Sequence, residues 1–123
     1  MNNINVLIWG REFELEVSYQ NFPGEDVTVI QQNTLAKIPS VDYEAAKPGI
    51  EAYIRKYYST ELGDDSLDNL FRFVMPKRVL ITRTENNREF AILCDFKFDM
   101  EHGIAVIFEN EEFKAAGSQD LIL

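Results

Sequence analysis

The sequence predicts an α+β fold in which an antiparallel sheet packs one of its faces against two helices. Polar and apolar residues alternate along Arg11–Tyr19 and again from Phe90 to Phe113, as in half-buried strands. Between these regions, apolar residues recur at spacings of three and four, which indicates an amphipathic helix. We therefore expect the element order βββ-αα-ββββ in a single domain over residues 1–123.

The N-terminal part is predicted to be a three-stranded meander. The apolar run Ile4–Trp9 forms the first strand, and a tight turn at residues 9–11 leads into the second strand, Arg11–Tyr19. A turn at Asn21–Gly24 contains Pro and Gly, which favour chain reversal. The third strand is expected over residues 27–38, where Val and Ile residues follow that turn.

Two helices are predicted to follow the meander. The first runs from Lys47 to Leu62 and ends at Gly63, with Pro48 in its first turn. Its apolar face consists of Ile50, Tyr53, Ile54, Tyr57, Tyr58 and Leu62. A second, shorter helix is expected to begin at Asp64 or Asp65 and to end before Pro76. Its predicted buried positions are Leu67, Leu70, Phe71 and Val74.

The C-terminal part returns to a period of two and predicts a second meander. The expected strands are Arg78–Thr84, Phe90–Phe98, Ile104–Glu109 and Glu112–Ala116. Polar turns rich in Asn and Glu separate them. Residues Leu121–Leu123 are expected to add a short edge pairing.

Both faces of the predicted sheet carry apolar residues. Alternate residues from Phe90 to Phe98 are expected to face the helices. If the opposite face were open to water, it would normally carry polar residues. Apolar residues expected on the second face are Leu7, Trp9, Leu80, Ala91, Leu93, Ala105 and Ile107. The sequence leaves three possibilities for what covers this second face: the chain's own curled sheet, another protein, or a second copy of the chain. In a homodimer, the buried residues would be Leu7, Trp9, Leu93 and Ile107.

Composition limits the classes of function. Twelve basic residues against 21 acidic ones give a net charge of −9, which repels nucleic acid and favours encounter with a basic protein. Cys94 is the single cysteine, so no internal disulfide forms. No apolar run is long enough for a membrane span, and the first residues lack the features of a secretion signal. We expect a cytoplasmic protein that binds neither nucleic acid nor membrane.

Three catalytic or metal-binding arrangements near His102, the only histidine, are considered and disfavoured. A Cys94–His102–Asp99 triad fails because Cys94 lies on the core face of its strand. Asp99, Glu101 and His102 supply too few ligands for a calcium loop or a zinc site. The carboxylates of Asp95, Asp99 and Glu101 are typical of a solvated strand end. We therefore expect no enzyme, no metal and no cofactor.

A row of three carboxylates is the strongest candidate for binding. Glu12, Glu14 and Glu16 occupy alternate positions of one predicted strand and share its outer face. Such a row serves either as a solvated edge that protects against aggregation or as a contact surface for a basic partner. The predicted partner-binding residues are these three glutamates with Asp99 and Glu101.

The C-terminal segment resembles a set of small acidic bacterial proteins of unknown function. The resemblance rests on a D-x-E-H-G turn, Asp99–Gly103, followed by Ile104, and on the closing segment Gly117–Asp120. Phe98 stands where a tryptophan often occurs in that set, and the Tyr53–Tyr58 segment adds support. Some members resemble immunity proteins that neutralise a cognate toxin by direct binding. The resemblance implies a bacterial source and an immunity-type function.

Overall fold

The structure, a computed structural model, describes residues 2–122 and contains one six-stranded sheet with α-helices between its second and third strands. The strands are β1 (Asn3–Ile8), β2 (Arg11–Tyr19), β3 (Val74–Ile81), β4 (Glu89–Phe96), β5 (Ile104–Glu109) and β6 (Glu112–Gly117). The helices are α1 (Val29–Lys37), α2 (Lys47–Tyr57) and α3 (Ser59–Leu62). Short 3₁₀ turns occur at Ile38–Ser40, Tyr43–Ala46, Leu70–Arg72 and Gln119–Leu121.

The sheet order follows the chain order, β1 to β6, and all neighbours are antiparallel except β2 and β3. Those two strands are parallel, with Glu16 opposite Arg78. A parallel pair needs a long crossover connection, which the helices supply. The α+β class is therefore confirmed, whereas the order βββ-αα-ββββ is corrected to ββ-ααα-ββββ.

The predicted third strand over residues 27–38 is wrong, because this segment forms helix α1. Thr28 caps the helix: its hydroxyl accepts a hydrogen bond from the Gln31 backbone N–H, and the Gln31 side chain accepts one from the Thr28 N–H. This reciprocal pair is a capping box. Val29, which suggested a strand, is 69% exposed and contributes little to the core.

The second predicted helix, from Asp64 or Asp65 to Pro76, is also wrong. Only a 3₁₀ turn at Leu70–Arg72 forms there, and β3 already begins at Val74. Pro76 lies within β3 beside a register shift, where a residue without an N–H group is tolerated. Leu67 and Leu70 are nevertheless buried, as predicted.

The helix predicted over Lys47–Leu62 is present but interrupted at Tyr58, whose φ of −131° and ψ of 27° are not helical and separate α2 from α3. Ile50 and Ile54 are fully buried, as the periodicity predicts. Tyr57, assigned to the same apolar face, is instead 60% exposed. Within residues 2–122, the longest helix has 11 residues, well short of the ~20 that a membrane-spanning helix needs.

The structure confirms the first hairpin turn, but the end of β4 and the last residues differ from the prediction. The first hairpin turn is confirmed: Trp9 and Gly10 both have positive φ, as a two-residue turn of type I′ requires. Strand β4 ends at Phe96 rather than Phe98. Leu121 belongs to a 3₁₀ turn, not to an edge strand, and residue 123 of that prediction lies outside the described residues.

The main core lies between the sheet and the helices. On β4 the side chains of Phe90, Ile92, Cys94 and Phe96 all point into it and are at most 2% exposed, as predicted. The opposite face carries a second cluster, against which Ile122 packs. Its members are Leu80, Ala91, Leu93, Ala105 and Ile107.

The residues predicted to form a homodimer face do not share one open surface. Leu93 and Ile107 are only 1% and 8% exposed within the single chain. Trp9 belongs to the helix side of the sheet, where its ring contacts Phe71 and its indole N–H donates to the Tyr43 carbonyl. Leu7 alone is exposed, at 64%. The periodicity misplaced Trp9 because the hairpin turn at Trp9–Gly10 breaks the alternation.

Candidate functional site

The acidic row, Glu12, Glu14 and Glu16, lies on the sheet face that points away from the helices. All three side chains are exposed, while the intervening Leu15 and Val17 are buried. The alternation predicted for this strand is therefore confirmed. Successive carboxylates of the row are about 7 Å apart along the strand, since each strand residue advances about 3.4 Å.

Among residues 2–122, one exposed apolar and one exposed basic side chain lie opposite residues of the acidic row. Leu7 lies opposite Glu12 on β1, and the Asn3 amide donates to Glu14 Oε1 at 3.0 Å. Arg78 lies opposite Glu16 on β3. Even so, the ion pairs within 4.0 Å among residues 2–122 do not include any carboxylate of the row.

Acids at the other end of the sheet are paired, in contrast to the acidic row. Lys114 Nζ lies 2.9 Å from a carboxylate oxygen of Glu89 and 2.9 Å from one of Glu109. The Arg88 guanidinium forms two hydrogen bonds to Glu111, of 2.8 and 2.9 Å. The acidic row thus concentrates on β2 three negative charges that, among residues 2–122, form no ion pair within 4.0 Å.

Asp99 and Glu101, the other predicted partner-binding residues, lie in the turn between β4 and β5. Asp99 is half-buried and accepts hydrogen bonds from the His102 backbone N–H at 3.2 Å and from Tyr58 Oη at 3.5 Å. Because Tyr58 belongs to the helix layer, Asp99 lies on the side of the sheet opposite the acidic row. Glu101 is exposed. The structure therefore divides the predicted binding residues between two surfaces.

The Asp99–His102 pair shifts the pKa of both groups. His102 Nδ1 lies 3.1 Å from each carboxylate oxygen of Asp99, and this hydrogen bond and charge raise the pKa of His102 above its usual value. Partial burial alone would raise the pKa of Asp99, but the hydrogen bonds and charge of His102 outweigh burial and lower it. Both effects favour an ion pair.

The turn also holds the C-terminal segment, which we call the strap and define as residues 118–122. The Gln119 backbone N–H donates to the His102 carbonyl at 3.3 Å, and the Gln119 side-chain amide donates to the Cys94 carbonyl at 3.1 Å. Gly103 has a φ of +60°, and a Cβ there would collide with the Gln119 amide and the Cys94 carbonyl. A glycine is therefore required where the strap meets the turn.

The strap continues from this anchor to Ile122, which reaches the apolar second face. Asp120 Oδ2 lies 3.9 Å from His102 Nε2, and the Ile122 carbonyl accepts a hydrogen bond from the Gln20 side chain at 3.3 Å. Ile122 packs against the second apolar cluster. The two segments that carried the family resemblance, Asp99–Gly103 and Gly117–Asp120, therefore contact one another.

A groove lined by three tyrosines, the tyrosine groove, lies between α2 and the edge strand β6. Its volume is about 510 Å³. The lining residues are Tyr53, Tyr57, Tyr58, Ala116, Gly117, Ser118 and Leu121. The sequence interpretation missed this groove because it assigned the tyrosines to the core. The break between α2 and α3 at Tyr58 leaves no periodic signal in the sequence.

Cys94 and Asp95, two of the groups considered for catalysis, lie on opposite faces of the sheet. Cys94 is 1% exposed, and burial raises the pKa of its thiol, so the thiolate nucleophile is disfavoured. Asp95 is exposed and lies 3.8 Å from Lys77 Nζ, on the face opposite Cys94. In residues 2–122, no three His, Cys, Asp or Glu side chains are grouped so as to hold a metal ion.

Comparison with known proteins gives a family without an assigned role. The sequence model of a family described as "Domain of unknown function (DUF6985)" matches residues 2–123. No curated protein and no solved structure matches the chain.

Proposed function

The chain belongs to the DUF6985 family, and we propose that it is a non-enzymatic protein that binds a basic protein partner through the acidic row. The observation that carries this proposal is the concentration of three exposed carboxylates on β2 that make no ion pair within residues 2–122. Like charges that lie close together on one face of a strand repel each other. A cationic partner would relieve that repulsion and would be steered towards it.

Leu7 supplies the apolar contact that such an interface needs. Its side chain is 64% exposed and lies opposite Glu12 in the β1–β2 pairing. Protein interfaces typically combine a few buried apolar anchors with a charged rim. In the proposed interface, Leu7 is the apolar anchor and the acidic row is the charged rim.

An immunity-type role is the biological setting that we propose for this binding. In that role, an acidic bacterial protein in the cytoplasm occludes a basic surface of a toxin. Support comes from the resemblance of Asp99–Gly103 and Gly117–Asp120 to the set described above, and from the net charge of −9. A basic toxin surface would meet the acidic row with favourable long-range electrostatics.

The test is affinity capture from the native cell with three forms of the protein. The E12Q/E14Q/E16Q variant removes the acidic row, and E61Q/D64N/D65N removes three charges from exposed positions outside the sheet. We expect the wild type and the second variant to capture the same basic protein, and the first variant to lose it. With the purified partner, the association rate of the wild type should fall about tenfold between about 50 and about 300 mM salt.

Because both variants carry the same net charge, a general electrostatic effect would weaken them equally. Equal loss in the two variants, or full capture by E12Q/E14Q/E16Q, would contradict the proposal. The same conclusion would follow if the wild type recovered only itself.

A further inference from the structure

The three tyrosines of the tyrosine groove form a concave aromatic surface. The Tyr53 ring centre lies 5.3 Å from that of Tyr57 and 5.8 Å from that of Tyr58, with interplanar angles of 50° and 54°. The three rings are tilted against one another instead of stacking flat, and all three line the groove. The face of an aromatic ring carries partial negative charge, so such a surface attracts cations.

One ring of the tyrosine groove already has a cation near its face. Lys56 Nζ lies 5.2 Å from the centre of the Tyr57 ring, within the range of a cation–π interaction. Both residues are exposed at the end of α2. A cationic guest would therefore compete with Lys56 for the Tyr57 ring.

A carboxylate, that of Asp99, is hydrogen-bonded to one of the tyrosines that line the groove. Tyr58 Oη donates to Asp99 Oδ2 at 3.5 Å, and Asp99 also contributes to raising the pKa of Tyr53 to about 12, although burial is the larger cause. Both observations place the Asp99 carboxylate close to the groove. The Asp99 carboxylate also lies 3.1 Å from His102 Nδ1, and the ammonium of Lys56 is the cation at the Tyr57 ring.

The remaining wall suits the methylene stem of a long side chain. Ala116, Gly117 and Leu121 provide apolar contacts, and the strap holds Leu121 in place. The volume of about 510 Å³ exceeds one side chain and leaves room for the adjoining peptide units. Arginine fits this combination best, because its planar guanidinium stacks on aromatic rings and still donates hydrogen bonds to hydroxyl and carboxylate oxygens.

We infer that the tyrosine groove is a second binding site, which takes an arginine side chain from an extended segment of a partner protein. The site lies on the helix side of the sheet, whereas the acidic row lies on the opposite face. The inference goes beyond the function proposed above and stands on its own observations.

The experiment is an NMR titration of the whole chain with acetyl-Gly-Arg-Gly-amide, observed at the tyrosine ring signals. The matched probe carries citrulline, a neutral side chain of nearly the same shape. We expect the signals of Tyr53, Tyr57 and Tyr58 to shift with the arginine peptide. Affinity for the citrulline peptide should be lower by about fivefold, which corresponds to about 1 kcal/mol.

Variants connect the binding to the groove. Y57A should lower the affinity for the arginine peptide about fivefold, and K56Q should raise it about twofold by removing the competing ammonium. The exposed F22A serves as the matched control and should leave the affinity unchanged. The E12Q/E14Q/E16Q variant should also bind the arginine peptide like the wild type, so the failure of one site is distinguishable from the failure of the other.

Three outcomes would overturn the inference. The first is equal affinity for the two peptides, which would show that the charge of the guest is irrelevant. The second is an absence of tyrosine shifts up to about 10 mM peptide, where even weak sites are occupied. The third is an unchanged or lower affinity in K56Q, which would exclude competition at the Tyr57 ring.

Discussion

His102 connects the turn between β4 and β5 with the strap. Its Nδ1 faces the carboxylate of Asp99 at 3.1 Å, its Nε2 lies 3.9 Å from Asp120, and its carbonyl accepts the Gln119 N–H. Glu101, the remaining charged neighbour, also raises the pKa of His102. His102, a candidate for catalysis by its sequence position, is therefore a structural contact whose charge depends on pH.

Replacing His102 tests this role through the pH dependence of stability. Hydrogen bonding and charge from Asp99 place the pKa of His102 above its usual 6.5, so the folded protein takes up a proton at this site. Its stabilising contribution is complete below pH 6.5 and is lost as pH rises through the folded pKa. Urea unfolding of wild type and H102Q should show the wild type's advantage shrinking from about pH 6 to about pH 8. Parallel stability profiles for the two proteins would contradict this prediction.

Helix α1 shows how a local hydrogen-bond motif can outweigh β-propensity. The apolar residues near Val29 favour a strand, but Thr28 and Gln31 satisfy two N–H groups at the start of a helix. Gln31 is fully buried, and its amide lies 3.4 Å from the carbonyl oxygens of Gln20 and Thr82. The same glutamine thus completes the cap and links the helix to the end of the sheet.

Removing the cap should destabilise the protein measurably. In T28A, the Gln31 N–H loses its acceptor, and the free energy of unfolding should fall by about 1 kcal/mol. T28S retains the hydroxyl and should stay within about 0.5 kcal/mol of the wild type. Urea unfolding of the three proteins measures both values. Equal losses in T28A and T28S would assign the effect to the methyl group instead of the cap.

At the scale of the whole molecule, packing between the sheet and the α2–α3 region holds the two halves of the chain together. Phe96 on β4 is fully buried and contacts the rings of Tyr53 and Tyr58 from the helix layer. Phe98, just beyond the strand, packs against the rings of Tyr58 and Phe96. The floor of the tyrosine groove is therefore part of the core.

Truncating Phe96 should have a far larger effect than truncating a surface phenylalanine. F96A should lower the free energy of unfolding by about 3–5 kcal/mol, because a large cavity replaces a ring in full contact. F22A removes the same atoms from a side chain that is 74% exposed, and its effect should stay within about 0.5 kcal/mol. Similar urea midpoints for the two variants would contradict this assignment of the core.

The sequence alone determined which side of most elements faces the core. Alternation separated Glu12, Glu14 and Glu16 from Leu15 and Val17, and the spacing of Ile50 and Ile54 located the buried face of α2. Both patterns are local, because neighbouring side chains in a strand or a helix have fixed relative directions. The T-x-x-Q cap of α1 was also readable, but it conflicted with the apolar residues around it.

Only the tertiary structure decided which distant segments meet. The parallel pairing of Glu16 with Arg78, the hydrogen bond from Tyr58 to Asp99 and the anchoring of Gln119 on Cys94 all join residues far apart in the chain. Each depends on how the crossover helices and the strap pack, which no periodicity encodes. The acidic row was therefore foreseen, whereas the tyrosine groove, built from α2, β6 and the strap, emerged only when these elements came together.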